Sequence, residues 1–136
     1  MLRLLLIAGL LLLFGCDSRK SGAAESPMLE VTSYETVDPL IGKGKPLLLE
    51  LGSTSCGGCR DMARSLYHIK QQYPQSGIYF IDIKRERYAA RQYGVRMMPT
   101  QVILDGEGNV VDTHVGVSAT QELTEKLKRY GVIEAY

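Results

Sequence analysis

The 136-residue chain lacks the charge surplus that nucleic-acid binding requires. It carries 16 basic and 15 acidic residues, a formal net charge of +1. Because binding to nucleic acid by phosphate neutralisation needs a basic surplus, this composition argues against a nucleic-acid partner. The chain also has only three cysteines, too few for a disulfide scaffold: Cys16 stands alone, and Cys56 and Cys59 lie close together. Such uneven placement indicates cysteine chemistry rather than a stabilising framework.

No apolar run is long enough to span a bilayer. Residues 4–14 follow Arg3 as a continuous apolar stretch, and polar residues begin at Asp17. A membrane-spanning helix needs about 20 apolar residues, so the stretch is too short. We therefore interpret residues 1–15 as a signal peptide.

Residues 13–16, Leu-Phe-Gly-Cys, resemble the lipobox of bacterial lipoproteins. The resemblance implies cleavage before Cys16 and lipidation of its thiol. An ordinary signal peptide would instead leave an exposed free thiol on an exported protein. Residues 16–27, small and polar after the cysteine, form a flexible tether. We expect an extracytoplasmic protein held to the cell membrane by lipid on Cys16, on the periplasmic face of the inner membrane in a double-membraned bacterium.

Residues 28–136 alternate between strand and helix patterns, which predicts one α/β domain. Predicted strands cover 29–32, 47–51, 78–83, 100–104 and 109–115, the last two joined as a hairpin. Helices are predicted near 38–42, from the cysteine pair to 73, at 85–93, and from Ser118, which forms a capping box with Gln121. We expect a three-layer sandwich: a mixed central sheet, with parallel pairs made by crossover helices, between helices on both faces.

The cysteine pair lies where the first central strand gives way to the long helix. Cys56 is predicted at the helix N-terminus, where unpaired N–H groups and the helix dipole favour a thiolate. Cys59, one turn inside, would be shielded and within disulfide range of Cys56. The spacing predicts that Cys56 attacks and Cys59 resolves the mixed disulfide.

Glu50 interrupts the apolar run 47–51, six residues before Cys56. Burial in a sheet makes a carboxyl costly to ionise, so we expect a raised pKa and proton relay to or from Cys59. The alternative is a strand-end residue with its carboxyl in water.

These features together resemble the thioredoxin family over about residues 28–131. The matching residues are Cys56 and Cys59 after a strand, Met98-Pro99-Thr100 before a later strand, the hairpin turn at 105–109, and Val115-Gly116 before the last helix. The resemblance implies that Pro99 is cis and packs against the disulfide, and that Met98 pairs its backbone with a substrate chain. It places the family's buried acid at Glu50.

The chain departs from the thioredoxin pattern at the redox centre. Ser55 stands where the family has Trp, Gly58 stands where it has Pro, and the chain contains no Trp. The aromatic surface that helps to dock partners is therefore missing, and Gly58 restores a backbone N–H. Substrate-binding positions are predicted at Met98, Thr100, Gly57 and Gly58.

The function predicted from these residues is a membrane-tethered thiol:disulfide oxidoreductase that exchanges disulfides with protein substrates. It is expected to be a monomer with no cofactor beyond its redox-active disulfide. The reductase direction is favoured, with electrons from a membrane partner, while oxidase and isomerase stay open. The alternative is a metallochaperone that binds Cu(I) through Cys56, Cys59 and Met98, since thiolate and thioether ligands are soft. His68, His114 and the basic residues at 84–96 are interpreted as solvated.

Overall fold

A computed structural model describes residues 25–134. The predicted signal peptide, Cys16 and most of the tether lie outside these residues. The strands are β1 (Leu47–Gly52), β2 (Ile78–Asp82), β3 (Thr100–Leu104) and β4 (Val110–Val115), and the helices are α1 (Tyr34–Val37), α2 (Gly57–Gln72), α3 (Arg87–Gln92) and α4 (Thr120–Arg129). Across 25–134, no helix has the length and apolar character needed to cross a membrane.

The four strands form one mixed sheet in the order β2-β1-β3-β4. β1 and β2 are parallel, and β3 runs antiparallel to both of its neighbours, β1 and β4. The predicted α/β fold with a mixed sheet and an antiparallel hairpin is confirmed. The expectation of more than one parallel pair is wrong: among the strands of residues 25–134, only β1 and β2 pair in parallel, joined by the α2 crossover.

β3 starts at the edge of the sheet where β1 and β2 end, because it is antiparallel to β1, which is parallel to β2. The connection from β2 to β3 contains the short helix α3 and does not return the chain to the opposite edge. This topology brings the start of β3 to the edge at which β1 leads into α2.

Alternate residues of β1 face two separate apolar layers. Leu48 belongs to the cluster that includes Cys59 and Leu66 of α2 and Leu127 of α4. Leu47, Leu49 and Leu51 belong to the opposite cluster, which takes Val37 from α1 and Ala89 from α3. Helices therefore cover both faces, as predicted. Because side chains alternate along a strand, Glu50 faces the α2 side with Leu48.

Three local predictions need correction: the strand at 29–32, the capping box at Ser118 and the short helix near 38–42. The predicted strand at 29–32 is a single bridge between Val31 and Phe80, because Leu29 donates its N–H to Ala63 of α2 instead of to the sheet. The capping box is wrong. Ser118 is buried with its N–H 3.3 Å from the sulfur of Met62, and α4 starts two residues later after Ala119, which makes no side-chain cap.

The short helix predicted near 38–42 begins earlier than expected. Ser33 caps α1 by accepting the N–H of Thr36, and a 3-10 turn at Asp38–Leu40 follows the helix. The hydroxyl of Ser33 thus supplies the N-cap of this helical segment, which begins at Tyr34, four residues before the predicted start.

Candidate active site

Cys56 is the N-cap residue of α2. Its backbone is extended, at φ −98° and ψ 122°, and its Sγ accepts the N–H of Cys59 at 3.3 Å. The two cysteines are joined by a disulfide, with their Cα atoms 5.2 Å apart. Cys56 is half-buried, whereas Cys59 is fully buried. An external thiol or disulfide can therefore reach Cys56 far more easily than Cys59.

The Met98–Pro99 segment lies against the start of α2. The peptide bond before Pro99 is cis, in agreement with the family resemblance. A Cβ built on Gly58 would lie 3.5 Å from Cδ of Pro99, so the proline ring packs beside the cysteine loop. The Oγ1 of Thr100 donates to the carbonyl of Met97 at 2.7 Å, and the N–H of Gly116 donates to the carbonyl of Pro99 at 2.8 Å. These two bonds fix the turn from both sides.

The glycines around the disulfide have different amounts of space. A Cβ on Gly52 would lie 2.8 Å from Sγ of Cys59, which is too close for any ordinary contact. One on Gly58 would lie 3.0 Å from Cγ2 of Val117, whereas one on Gly57 would meet nothing within 4 Å. Gly57 is thus an open position beside the half-buried Cys56, and Gly58 forms part of a close packing contact.

Glu50 is fully buried, so the alternative of a solvated strand end is wrong. Burial raises its pKa to about 8, and one hydrogen bond from Gln101 partly opposes that rise. In that bond, Nε2 of Gln101 donates to Oε2 of Glu50 at 2.9 Å. The other carboxyl oxygen, Oε1, is buried with no hydrogen-bond partner. The carboxyl therefore favours its neutral form at neutral pH, as the sequence predicted.

Gln101 was not identified from the sequence. It lies on β3, directly opposite Glu50 of β1. It is 3% exposed, and the same Nε2 also donates to the carbonyl of Gly116 at 3.2 Å. The signal was available, because Gln101 interrupts a buried apolar strand in the way that Glu50 does. Two polar residues in adjacent buried strands predict a pair once the strand register is known.

Lys84 and two serines also adjoin the cysteine loop. Nζ of Lys84 donates to Oγ of Ser55 at 2.7 Å, and Oγ of Ser53 lies 3.1 Å from that of Ser55. Lys84 is exposed, as predicted for the basic stretch, yet it places a positive charge next to the residue before Cys56. Ser55, at the position where the family has Trp, thus presents a hydroxyl group that accepts a hydrogen bond from the ammonium group of Lys84.

The three residues of the copper alternative, Cys56, Cys59 and Met98, belong to or pack against one apolar cluster. Met98 is half-buried and packs against the cluster that contains Cys59. Between residues 25 and 134, no group of three or more His, Cys, Asp or Glu side chains is arranged to hold a metal ion. His68 is exposed and His114 is half-buried on β4.

Comparison with known proteins identifies one family. The sequence profile of the Thioredoxin family matches residues 28–129. The chain is 33% identical to the thioredoxin of Synechocystis sp. over 106 residues, which cover 77% of this chain and 96% of that protein. It is 28% identical to Thioredoxin 1 of Nostoc sp. over 106 residues, which cover 77% and 98%. The structure of Fasciola hepatica thioredoxin matches with a TM-score of 0.65 and 26% identity, over 76% of this chain and 99% of that one.

Proposed function

Because the chain belongs to the thioredoxin family of thiol:disulfide oxidoreductases, we propose that it is a membrane-tethered, extracytoplasmic reductase of protein disulfides. The observation that carries the proposal is the asymmetry of the cysteine pair. Cys56 is half-buried at a helix N-terminus with its sulfur facing a backbone N–H, and Cys59 is enclosed behind it. This arrangement favours attack by one sulfur and resolution by the other.

The reaction transfers two electrons from the dithiol to the substrate. The Cys56 thiolate attacks one sulfur of the substrate disulfide, forms a mixed disulfide and releases the first substrate thiolate. The Cys59 thiol then gives its proton to Glu50, which must be ionised in the reduced protein to accept it, and attacks Sγ of Cys56. The Cys56–Cys59 disulfide forms and the second substrate thiolate leaves. Pro99 borders the cysteine loop, and Met98, Thr100, Gly57 and Gly58 are the residues proposed to contact the substrate chain.

The membrane assignment is supported by the sequence that precedes the domain. Residues 1–15 have the pattern of a signal peptide, and Cys16 ends a lipobox-like sequence. Residues 16–27 are then a tether with a reach of roughly 15–20 Å. A domain held at this distance from the bilayer is positioned to receive electrons from a membrane protein and to pass them to exported substrates.

The experiment that tests the direction of transfer is the reduction potential of the Cys56/Cys59 couple, measured against glutathione buffers with the full chain. A potential close to that of thioredoxin, about −270 mV, supports the reductase assignment. A potential close to that of DsbA, about −120 mV, would contradict it and favour an oxidase. Cys59→Ser is the matched variant, since it lacks the couple while keeping Cys56.

Copper binding is the second candidate, favoured only by the packing of Met98 on the cluster that holds Cys59. It predicts that the reduced protein keeps Cu(I) in competition with a strong chelator, and that Met98→Leu loses it. Loss of Cu(I) to the chelator from the unaltered protein would eliminate this candidate.

A further inference from the structure

The buried carboxyl and the buried amide form a pair in which both groups are incompletely satisfied. The two N–H bonds of the Gln101 amide have acceptors, Oε2 of Glu50 and the carbonyl of Gly116. Oε1 of Glu50 and Oε1 of Gln101 are each buried without a hydrogen-bond partner. Buried acceptors without donors are costly, so two of them on one contacting pair require an explanation.

One proton accounts for both unsatisfied atoms. A carboxylic acid accepts through its carbonyl oxygen and donates through its hydroxyl, whereas an ionised carboxylate only accepts. Since Oε2 of Glu50 already accepts from the amide, the proton belongs on Oε1. From there the hydroxyl can donate to Oε1 of Gln101, which closes a cyclic acid–amide pair. In the ionised form the carboxyl has no hydrogen to donate, so neither oxygen is satisfied.

We propose that Gln101 is a positioning residue that holds the Glu50 proton on Oε1 in the disulfide form and releases it in the reduced form. The proposal rests on the proposed oxidoreductase function and assigns a partner to its proton relay. The proton that Cys59 loses when the disulfide closes is kept on Glu50 by the amide. When the disulfide is reduced, the proton returns to Cys59.

The amide also connects the carboxyl to the Pro99 turn. Gln101 donates to the carbonyl of Gly116, and the N–H of Gly116 donates to the carbonyl of Pro99 at 2.8 Å. The Glu50 carboxyl is thus three hydrogen bonds away from the turn that borders the cysteine pair. A change in the protonation of Glu50 alters its hydrogen bonding to Gln101. Through Gln101, it also affects the hydrogen bonds that fix the Pro99 turn.

Other titratable groups face the same side of the sheet, and the two carboxylates among them have their own contacts. Cross-strand partners share a face, so this side includes Cys59 from α2, Asp82 from β2, and Asp112 and His114 from β4. Asp82 accepts the N–H of Lys84 at 3.0 Å, and Asp112 is paired with Lys126 of α4 at 3.0 Å. Within 25–134, only Gln101 donates a hydrogen bond to the Glu50 carboxyl.

The test is a double-variant cycle on the resolving step. The probe is 5,5′-dithiobis(2-nitrobenzoate), which releases one coloured thiolate when Cys56 attacks and a second when Cys59 closes the disulfide. The reduced full chain is used in a Cys16→Ser background, which removes the third thiol from the count. The variants are Gln101→Met, which keeps length and apolar packing, Glu50→Gln, and the two combined, each measured from pH 6 to 9.

Glu50→Gln is expected to slow the second release about tenfold, and Gln101→Met to slow it several-fold and move its pH profile. If Gln101 acts through Glu50, the combined variant is no slower than Glu50→Gln alone. An unchanged rate and pH profile in Gln101→Met, or a combined loss equal to the product of the single losses, would overturn the proposal. Similar first-release rates in all variants show that the Cys56 site is intact.

Infrared spectroscopy gives a readout that a purely structural role would not move. At pH 6 the protonated Glu50 carboxyl should give a carbonyl stretch that Glu50→Gln abolishes. The band should shift to higher frequency in Gln101→Met, because the bond to Oε2 is lost. An unshifted band would also overturn the proposal. Failure of the unaltered protein to release either thiolate would instead contradict the proposed function, so the two failures are distinguishable.

Discussion

Replacing Glu50 with Gln should make the protein more stable at neutral and alkaline pH. The folded pKa of Glu50 is raised from 4.5 to about 8 by burial. Between pH 4.5 and about 8, the folded protein therefore keeps a proton that the unfolded chain has lost. The contribution of Glu50 to stability is greatest below pH 4.5 and falls as the pH rises to about 8, by at most about 1.4 kcal/mol per pH unit. The accumulated loss has an upper limit of about 5 kcal/mol.

Gln at this position has nearly the same shape and cannot ionise. Its amide also supplies a donor for Oε1 of Gln101. The variant should match the parent protein near pH 4.5 and exceed it by several kcal/mol at pH 9. The measurement is urea unfolding of the oxidised proteins at one-unit pH steps, followed by far-UV circular dichroism.

Glu107→Gln is the matched control, because it makes the same chemical change on an exposed side chain of the β3–β4 turn. The free energy of unfolding of Glu107→Gln should have the same pH dependence as that of the parent protein. The reasoning is refuted if Glu50→Gln loses stability between pH 5 and 8 as steeply as the parent does. A variant less stable than the parent at pH 9 would refute it as well.

Three further predictions follow from the cysteines and glycines. Cys59→Ser should accumulate mixed disulfides through Cys56, and Cys56→Ser should abolish exchange, as read on non-reducing gels; alkylation of Cys59 before Cys56 would reverse these roles. Intact-mass analysis of membranes should show residues 1–15 removed and a diacylglyceryl group on Cys16, whereas an unmodified soluble protein would contradict lipidation. Gly52→Ala should destabilise the oxidised form by about 1–3 kcal/mol, because its Cβ would lie 2.8 Å from the Cys59 sulfur; Gly57→Ala, with nothing within 4 Å, is the control.

The sequence predicted those parts of the fold that local patterns determine. Apolar runs located β1, β2 and β3, and the hairpin turn at 105–109 located β4. The direction of β3 was not predictable from such patterns, because it depends on the path of the chain between β2 and β3. The start of α4 was also missed, since the sulfur of Met62 holds the N–H of Ser118. A capping motif cannot reveal a tertiary contact of this kind.

Those residues of the candidate site were predictable that are unusual in their local sequence. Cys56, Cys59 and Glu50 each stand out in their local sequence, and the structure places all three near the junction of β1 and α2. Gln101 and Lys84 were not identified as site neighbours, because their contacts depend on strand register and on the path of the chain after β2. Such contacts become visible only when elements distant in sequence are brought together.

The pairing of Glu50 with Gln101 also favours one alignment of β1 with β3 over its neighbours. Both strands are otherwise almost uniformly apolar, and uniform strands can pair in several slipped registers at similar cost. A slip of two residues would set the carboxyl opposite Ile103 or Pro99, where neither residue has a side-chain donor for it. The native register is the one in which the two polar side chains meet. A nonpolar residue at position 50 would remove this discrimination, so a more stable core would come with a less specific fold.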